Sequence, residues 1–139
     1  MIILDTNVLS ALMRREPDPV VITWLDQQPA ESIWLTSVTI FEVKFGIELM
    51  APGRRREQLE SAFARMLRDD LHYRVLHFDQ SAAEEAATLT AQRQRAGKPV
   101  DFRDTAIAGI VLARRALLAT RNLPHFRDLG VNLVDPWTG

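Results

Sequence analysis

Apolar residues in this chain fall either into short unbroken runs or into longer stretches where they recur at helical spacing. Ile2-Ile3-Leu4, Ile33-Trp34-Leu35-Thr36, Val75-Leu76-His77-Phe78, Leu117-Leu118-Ala119-Thr120 and Val131-Asn132-Leu133-Val134 are the short runs, and each predicts a buried strand. Asp18-Pro19 ahead of Val20, Val21, Trp24 and Leu25 sets a capping aspartate and a first-turn proline before an apolar stripe, which predicts a helix start. A further helix opens at Thr39 and runs to about Met50, where Pro52-Gly53 stops it. From Arg54 to about Asp70, Leu59, Phe63, Met66 and Leu67 share one helix face while charges take the other. Asp79 or Ser81 caps an alanine-rich helix that ends at Gly97, and another helix spans Phe102 to Arg115. Strands alternate with helices throughout, so the pattern predicts the α/β class, a parallel sheet covered by helices.

At 139 residues and 47% hydrophobic, the chain is long enough for one domain, residues 1–139, around one core. It contains no cysteine, which excludes a disulfide framework, a thiol nucleophile and a cysteine-based zinc or iron-sulfur site. No apolar run approaches the ~20 residues of a membrane span, and Met1-Ile-Ile-Leu4 meets Asp5 too early for a signal peptide, so the expected location is cytoplasmic, with no membrane partner. Seventeen Lys+Arg against 18 Asp+Glu leave a charge of −1, so any nucleic-acid binding has to be local. Lys44 and Lys98 are the only lysines; the arginines clump at Arg14-Arg15, Arg54-Arg55-Arg56, Arg93 with Arg95, and Arg114-Arg115. Such clumps serve phosphate contacts or form solvated faces.

The acids carry the chemistry. In open parallel sheets ligands bind beyond the carboxyl ends of the strands, where strand order reverses. Asp5 follows the first run, Glu42 lies a turn into the helix after the second, Asp101 and Asp104 open the helix before the fourth, and Thr120-Arg121-Asn122 follows the fourth. With the first strand central, between the second and the fourth, these positions converge on one cleft. Each also has a plainer reading. Asp5, Thr6 and Asn7 are all good N-caps. Thr39-Ile40-Phe41-Glu42 fits a capping box, and Asp101 and Asp104 suit the positive end of their helix. Jointly they say more, because two carboxylates ~4 Å apart repel by roughly 4 kcal/mol at an effective dielectric of 20. Acids gathered in one cleft call for protons or a cation. Oxygen donors without cysteine or a histidine pair favour Mg²⁺ or Mn²⁺, and one or two such ions would serve hydrolysis of a phosphodiester.

Asp5-Thr6-Asn7, Thr36-Ser37-Val38-Thr39-Ile40-Phe41-Glu42 with Gly46 a turn later, Asp104-Thr105-Ala106-Ile107-Ala108, and Ala119-Thr120-Arg121-Asn122 together resemble a PIN-domain ribonuclease toxin of the VapC type. The closing Val134-Asp135-Pro136-Trp137 looks most like the FitB-like branch. The resemblance spans essentially the whole chain. It implies a five-stranded parallel sheet in the order 3-2-1-4-5, Mg²⁺- or Mn²⁺-dependent endoribonuclease activity, and inhibition by a small cognate antitoxin encoded alongside. By position Asp5, Glu42 and Asp104 match the family's catalytic, metal-binding acids. Asn122 stands where a fourth acid is frequent, which puts a second metal in question, and Asp101, a turn before Asp104, is a candidate substitute. Thr6 and Thr120 take supporting parts. The resemblance also implies a homodimer with a basic groove, for which Arg54, Arg55 and Arg56 are candidates to contact RNA.

The same residues argue against several other α/β readings. A phosphoacceptor domain would carry adjacent acids after the first strand and a lysine near the last, and lysine is absent from Leu117 through Gly139. A haloacid-dehalogenase would need Asp-x-Asp where Asp5-Thr6-Asn7 stands. Ser37 lacks a Gly-x-Ser-x-Gly elbow. His72, His77 and His125, isolated in sequence, read as packed or exposed bystanders, and Trp24, Trp34 and Trp137 as core or interface anchors. A non-catalytic binding module of the same fold and a DNA-directed nuclease remain as alternatives.

Overall fold

The computed structural model of the chain describes all 139 residues. β1 (Ile2–Leu4), β2 (Ile33–Thr36), β3 (Val75–Leu76), β4 (Leu117–Ala119) and β5 (Asn132–Val134) form one sheet in the order β3-β2-β1-β4-β5, with every pair parallel. The expected topology is therefore present. β1 is central because both of its faces are apolar and both its edges are paired: Ile2 lies opposite Ile33 on one side and Leu117 on the other. Side chains of a strand alternate between faces, so Ile2 and Leu4 enter one core and Ile3 the other.

The first core is covered by α1 (Thr6–Met13), α2 (Pro19–Asp26), α3 (Ser37–Glu48) and α4 (Arg54–Arg65), which contribute Val8, Leu9, Val21, Trp24, Val43, Ile47 and Phe63. The second is covered by α5 (Gln80–Arg95) and α6 (Phe102–Arg114), contributing Ala82, Leu89, Ile107, Ile110 and Val111. A one-turn helix α7 (Leu123–Phe126) follows β4 and buries Phe126 completely. No helix is long and apolar enough to cross a membrane.

Several boundaries differ from the sequence reading. α3 begins at Ser37, not at Thr39: Thr36 is its cap and accepts the Thr39 N–H at 3.0 Å. The capping box from Thr39 to Glu42 consequently does not form, and Glu42 is free for another role. The helix from Arg54 loses its α geometry after Arg65 and widens into a π turn, Met66–Asp70, in which the Leu71 N–H reaches back to the Met66 carbonyl at 2.9 Å. That extra residue per turn brings Leu71 into the core, 4% exposed. β3 stops after Leu76 because the Phe78 N–H is taken by the Ser37 Oγ at 3.2 Å. Of the two caps expected for α5, Asp79 is the one used, as the reading allowed, accepting the Ala82 N–H. α1 and α7 form without having been anticipated as helices; α1 has only eight residues and α7 four, too few for apolar periodicity to register.

Candidate active site

Four segments reach the carboxyl end of the sheet beside β1. The chain leaves β1 through Asp5, whose N–H continues the ladder to the Ala119 carbonyl at 2.9 Å, so its position is fixed by sheet pairing. Asp5 is 6% exposed and all of its bonds come from neighbours at this end. Its Oδ1 accepts the Thr6 N–H at 2.8 Å, which caps α1; its Oδ2 accepts the Thr120 hydroxyl at 2.7 Å and the Asn7 amide at 3.1 Å. The plain capping role and placement in the cleft thus coexist in one side chain. Burial raises its pKa above the usual carboxylate value, and the three donors pull against that rise.

Glu42, on the second helical turn from the cap of α3, faces α1. Thr6 Oγ1 donates to its Oε1 at 2.8 Å. Its pKa is also raised, first by burial, with Asp5 and Asp104 adding like-charge repulsion. Asp104, in the first turn of α6, is raised by burial and then by the charges of Asp101 and Asp5. Asp5, Glu42 and Asp104 are therefore brought near enough to feel one another's charge, as the sequence reading expected of them.

The remaining candidates separate. Thr120 is a junction: it donates to Asp5 and accepts both the Asn7 amide at 3.2 Å and the Asn122 backbone N–H at 3.0 Å. Thr6 serves Glu42. Asp101 caps α6, accepting the Arg103 N–H at 2.9 Å, and its side chain is 54% exposed. Asn122 is exposed, tied into the network only by its backbone, and its side chain makes no hydrogen bond. The arginine triplet does not act as a unit. Arg56 pairs with Glu48 at 2.9 Å and Glu60 at 3.1 Å and donates to the Met50 carbonyl, so its guanidinium is engaged by the protein itself, whereas Arg54 and Arg55 make no ion pair.

Three residues of the site were not singled out from sequence. Asn7 bridges Asp5 and Thr120 with its amide and accepts the Arg121 N–H at 3.0 Å, locking the β1 and β4 exits together. A signal for it existed, since it stands two residues after Asp5 in the same motif. Arg103 lies 3.9 Å from Glu42 and 4.0 Å from Asp101. His125, read as a bystander, has its Nδ1 3.3 Å from Asp104 Oδ2. Only the fold of α7 brings it there from 21 residues away, which no local pattern announces.

Hard oxygen donors, pushed toward protonation by burial and by each other, are chemically suited to a divalent cation such as Mg²⁺ or Mn²⁺. The fit is one of donor type and charge: no three acidic or imidazole groups are already drawn together at metal-ligand distance.

An acid-lined cleft at the carboxyl end of a 3-2-1-4-5 parallel sheet defines a class of α/β proteins, and comparison with known proteins specifies it. The chain belongs to the PIN-domain family, which matches residues 2–130. It is 39% identical to the plasmid stability protein StbB of Pseudomonas syringae pv. tomato and 36% identical to the VapC ribonuclease Y4jK of Sinorhizobium fredii; 137 residues align in each case, 99% of this chain and 99% and 98% of the relatives. Toxin FitB of Neisseria gonorrhoeae is 29% identical over 99% of both chains. The crystal structure of FitAcB from Neisseria gonorrhoeae superposes with a TM-score of 0.84 and 28% identity, covering 99% of each chain.

Proposed function

We propose that this chain is a metal-dependent endoribonuclease acting in the cytoplasm as the toxin of a toxin-antitoxin pair. The observation that carries the reading is the set of three carboxylates, Asp5, Glu42 and Asp104, each raised in pKa by burial at the carboxyl end of the sheet, with like-charge repulsion adding to the rise at Glu42 and Asp104. The names of its relatives, a VapC ribonuclease and the toxin FitB, support the substrate and the biological role.

Asp5, Glu42 and Asp104 would hold Mg²⁺ or Mn²⁺, with Asp101 and Asn122 at the margin. When bound, the ion supplies Lewis acidity toward a phosphoryl oxygen and lowers the pKa of water in its shell. The protein's part is positioning. Thr120 and Asn7 hold Asp5 Oδ2 from two sides, and Thr6 fixes Glu42 Oε1, so each acid presents its other lone pairs to the cleft. Arg103 stands at the rim, where a cationic group meets the charge of a phosphodiester.

Two partners accompany this reading. One is a cognate antitoxin, in keeping with the toxin relative. The other is a second copy of the chain, for which α3 supplies an apolar surface: Phe41, Phe45 and Leu49 are spaced by four, 57%, 47% and 72% exposed, and the two phenyl rings stack at 5.9 Å. Light scattering that reports a monomer at micromolar concentration would remove the homodimer.

Incubating purified protein with end-labelled single-stranded RNA tests the activity. Cleavage is expected with Mg²⁺ or Mn²⁺, none with a chelator, and none from Asp104→Asn under any condition. Preferential cleavage of duplex DNA would point instead to a DNA-directed nuclease; RNA that stays intact with both ions would leave a binding module.

A further inference from the structure

Five of the chain's arginines line one cleft that runs from the end of α1 along α4. Arg14 and Arg15 follow the last turn of α1; Arg54 and Arg55 occupy the first turn of α4, with Arg65 at its end. Together with Gln58 they line a cleft of about 660 Å³ whose walls contain no acidic residue. All five are exposed and none makes an ion pair, in contrast to Arg56, Arg93 and Arg114, which are paired with Glu48 and Glu60, Asp128 and Asp79. Two features oppose this arrangement in the protein alone. Like charges crowd one surface, and Arg54 and Arg55 stand at the positive end of a helix dipole, where anions are favoured. Acids stand only outside the cleft walls, Glu57 in the first turn of α4 and Asp18 and Asp69 near Arg14 and Arg65, and none pairs with the five guanidinium groups, so the cleft itself is open to an anion that comes from outside.

Its position says which anion. A second cavity of about 320 Å³ shares Met13, Arg14, Arg55 and Leu59 with the arginine cleft and extends to Thr6 and Glu42. The arginine surface therefore opens into the candidate active site through a common wall. We infer that Arg14, Arg15, Arg54, Arg55 and Arg65 form a track for the phosphodiester backbone of single-stranded RNA, holding the part of the strand that leads away from the cleaved bond. The inference rests on the endoribonuclease reading for the identity of the polymer, because a strand whose scissile phosphate lies by Glu42 must continue along one of the adjoining grooves. Guanidinium groups suit the task, since each can grip a phosphate with two hydrogen bonds, and contacts confined to the backbone make the track indifferent to sequence.

Binding measured with a chelator present, so that no cleavage intervenes, tests the track separately from the chemistry. The probe is a fluorescent 20-nucleotide single-stranded RNA titrated with the full chain over a salt series. Each lost phosphate contact lowers the slope of log K against log salt by about 0.7, so Arg14→Ala/Arg55→Ala/Arg65→Ala should lower it by about 2 and weaken binding about 100-fold at 0.1 M salt. A trinucleotide, too short to occupy both cavities, should bind the native and triple variants alike. Arg14→Lys/Arg55→Lys/Arg65→Lys, which keeps the charges, should retain the salt slope and rules out loss of fold as the cause. Unchanged affinity and slope in the alanine variant would overturn the track, as would a 20-residue polyglutamate that binds through these arginines more tightly than RNA does. Arginine-dependent RNA binding by a chain that never cleaves would sustain the track and defeat the ribonuclease reading; cleavage indifferent to the arginines would do the reverse.

Discussion

Asp5 and Asp104 hold equivalent charges in one cleft but are built into the protein differently, and that difference decides which substitution is informative. Asp5 accepts three hydrogen bonds, two of them on one oxygen, from Thr120 and Asn7. An amide in its place would either set its NH₂ against those donors or give up the Thr6 cap, so Asp5→Asn disturbs the junction between β1 and β4 as well as the charge. Asp104 accepts no hydrogen bond from the backbone or from a hydroxyl; its one ion-pair contact is with His125. Asp104→Asn and Glu42→Gln therefore remove charge with little structural cost, the latter because Thr6 can still donate to the amide oxygen. Since burial and repulsion raise the pKa of both groups, their ionised forms are disfavoured in the folded chain. Both amide variants should lose all RNA cleavage while melting at least as high as the native protein in chelator, whereas Asp5→Asn should lose activity and melt lower by about 1–2 kcal/mol of stability. Thermal melts of the three variants in chelator check this; a destabilised Asp104→Asn would show that its charge stabilises the metal-free fold.

The helices impose requirements that single side chains do not reveal. α5 and α6 pack so closely that a Cβ on Gly109 would meet the Ala82 carbonyl oxygen and come within 2.9 Å of the Ala86 Cβ. Backbone cannot move aside cheaply, so Gly109→Ala should cost about 1–3 kcal/mol even though alanine is the better helix former. Gly46 gives the opposite result. It lies in α3 beside the cavity that reaches Glu42, and a Cβ there meets nothing within 4 Å. Gly46→Ala should raise stability by about 0.5–1 kcal/mol, and chemical denaturation of the two variants should move in opposite directions. These elements also show what the sequence could and could not disclose. All five strands were legible because a doubly covered parallel strand is apolar on both faces and reads as an unbroken run. The convergence of Asp5, Glu42 and Asp104 was legible because Asp5 ends a strand and the other two lie in the opening turns of helices that start at the same end of the sheet. The cap of α3 was misplaced by three residues, since Thr36 and Thr39 are equally good caps and only the end of β2 chooses between them. His125 stayed hidden because a four-residue helix has no periodicity, and the division of Arg56 from Arg54 and Arg55 because it depends on where Glu48 and Glu60 happen to lie.

Across the whole molecule the three acids tie together segments far apart in the chain: Asp5 at the exit of β1, Glu42 in α3 and Asp104 in α6, with Asn122 beyond β4. A cation held among them closes loops of 37 and 62 residues and can form only when the sheet is assembled in its 3-2-1-4-5 order. Its binding energy is therefore added to global unfolding and not to the opening of one helix. At a metal concentration 100 times the dissociation constant, mass action contributes about 2.7 kcal/mol, which at roughly 2.1 cal/mol/K per residue raises the melting temperature by roughly 9 °C for a chain of this length. Mn²⁺ should produce that rise in the native protein, and Asp104→Asn should abolish it. Asn122 bears on how many ions contribute, because a neutral amide accepts a hydrogen bond or a metal contact without supplying charge. With Asp101 spending one oxygen on the cap of α6, the expected outcome is one strong site and one weak one. Calorimetry with Mn²⁺ should accordingly resolve one tight ion in the native chain and two in Asn122→Asp, with a larger thermal shift to match. Two equally tight ions in the native protein, persisting in Asp101→Ala, would refute this account of the margin of the site.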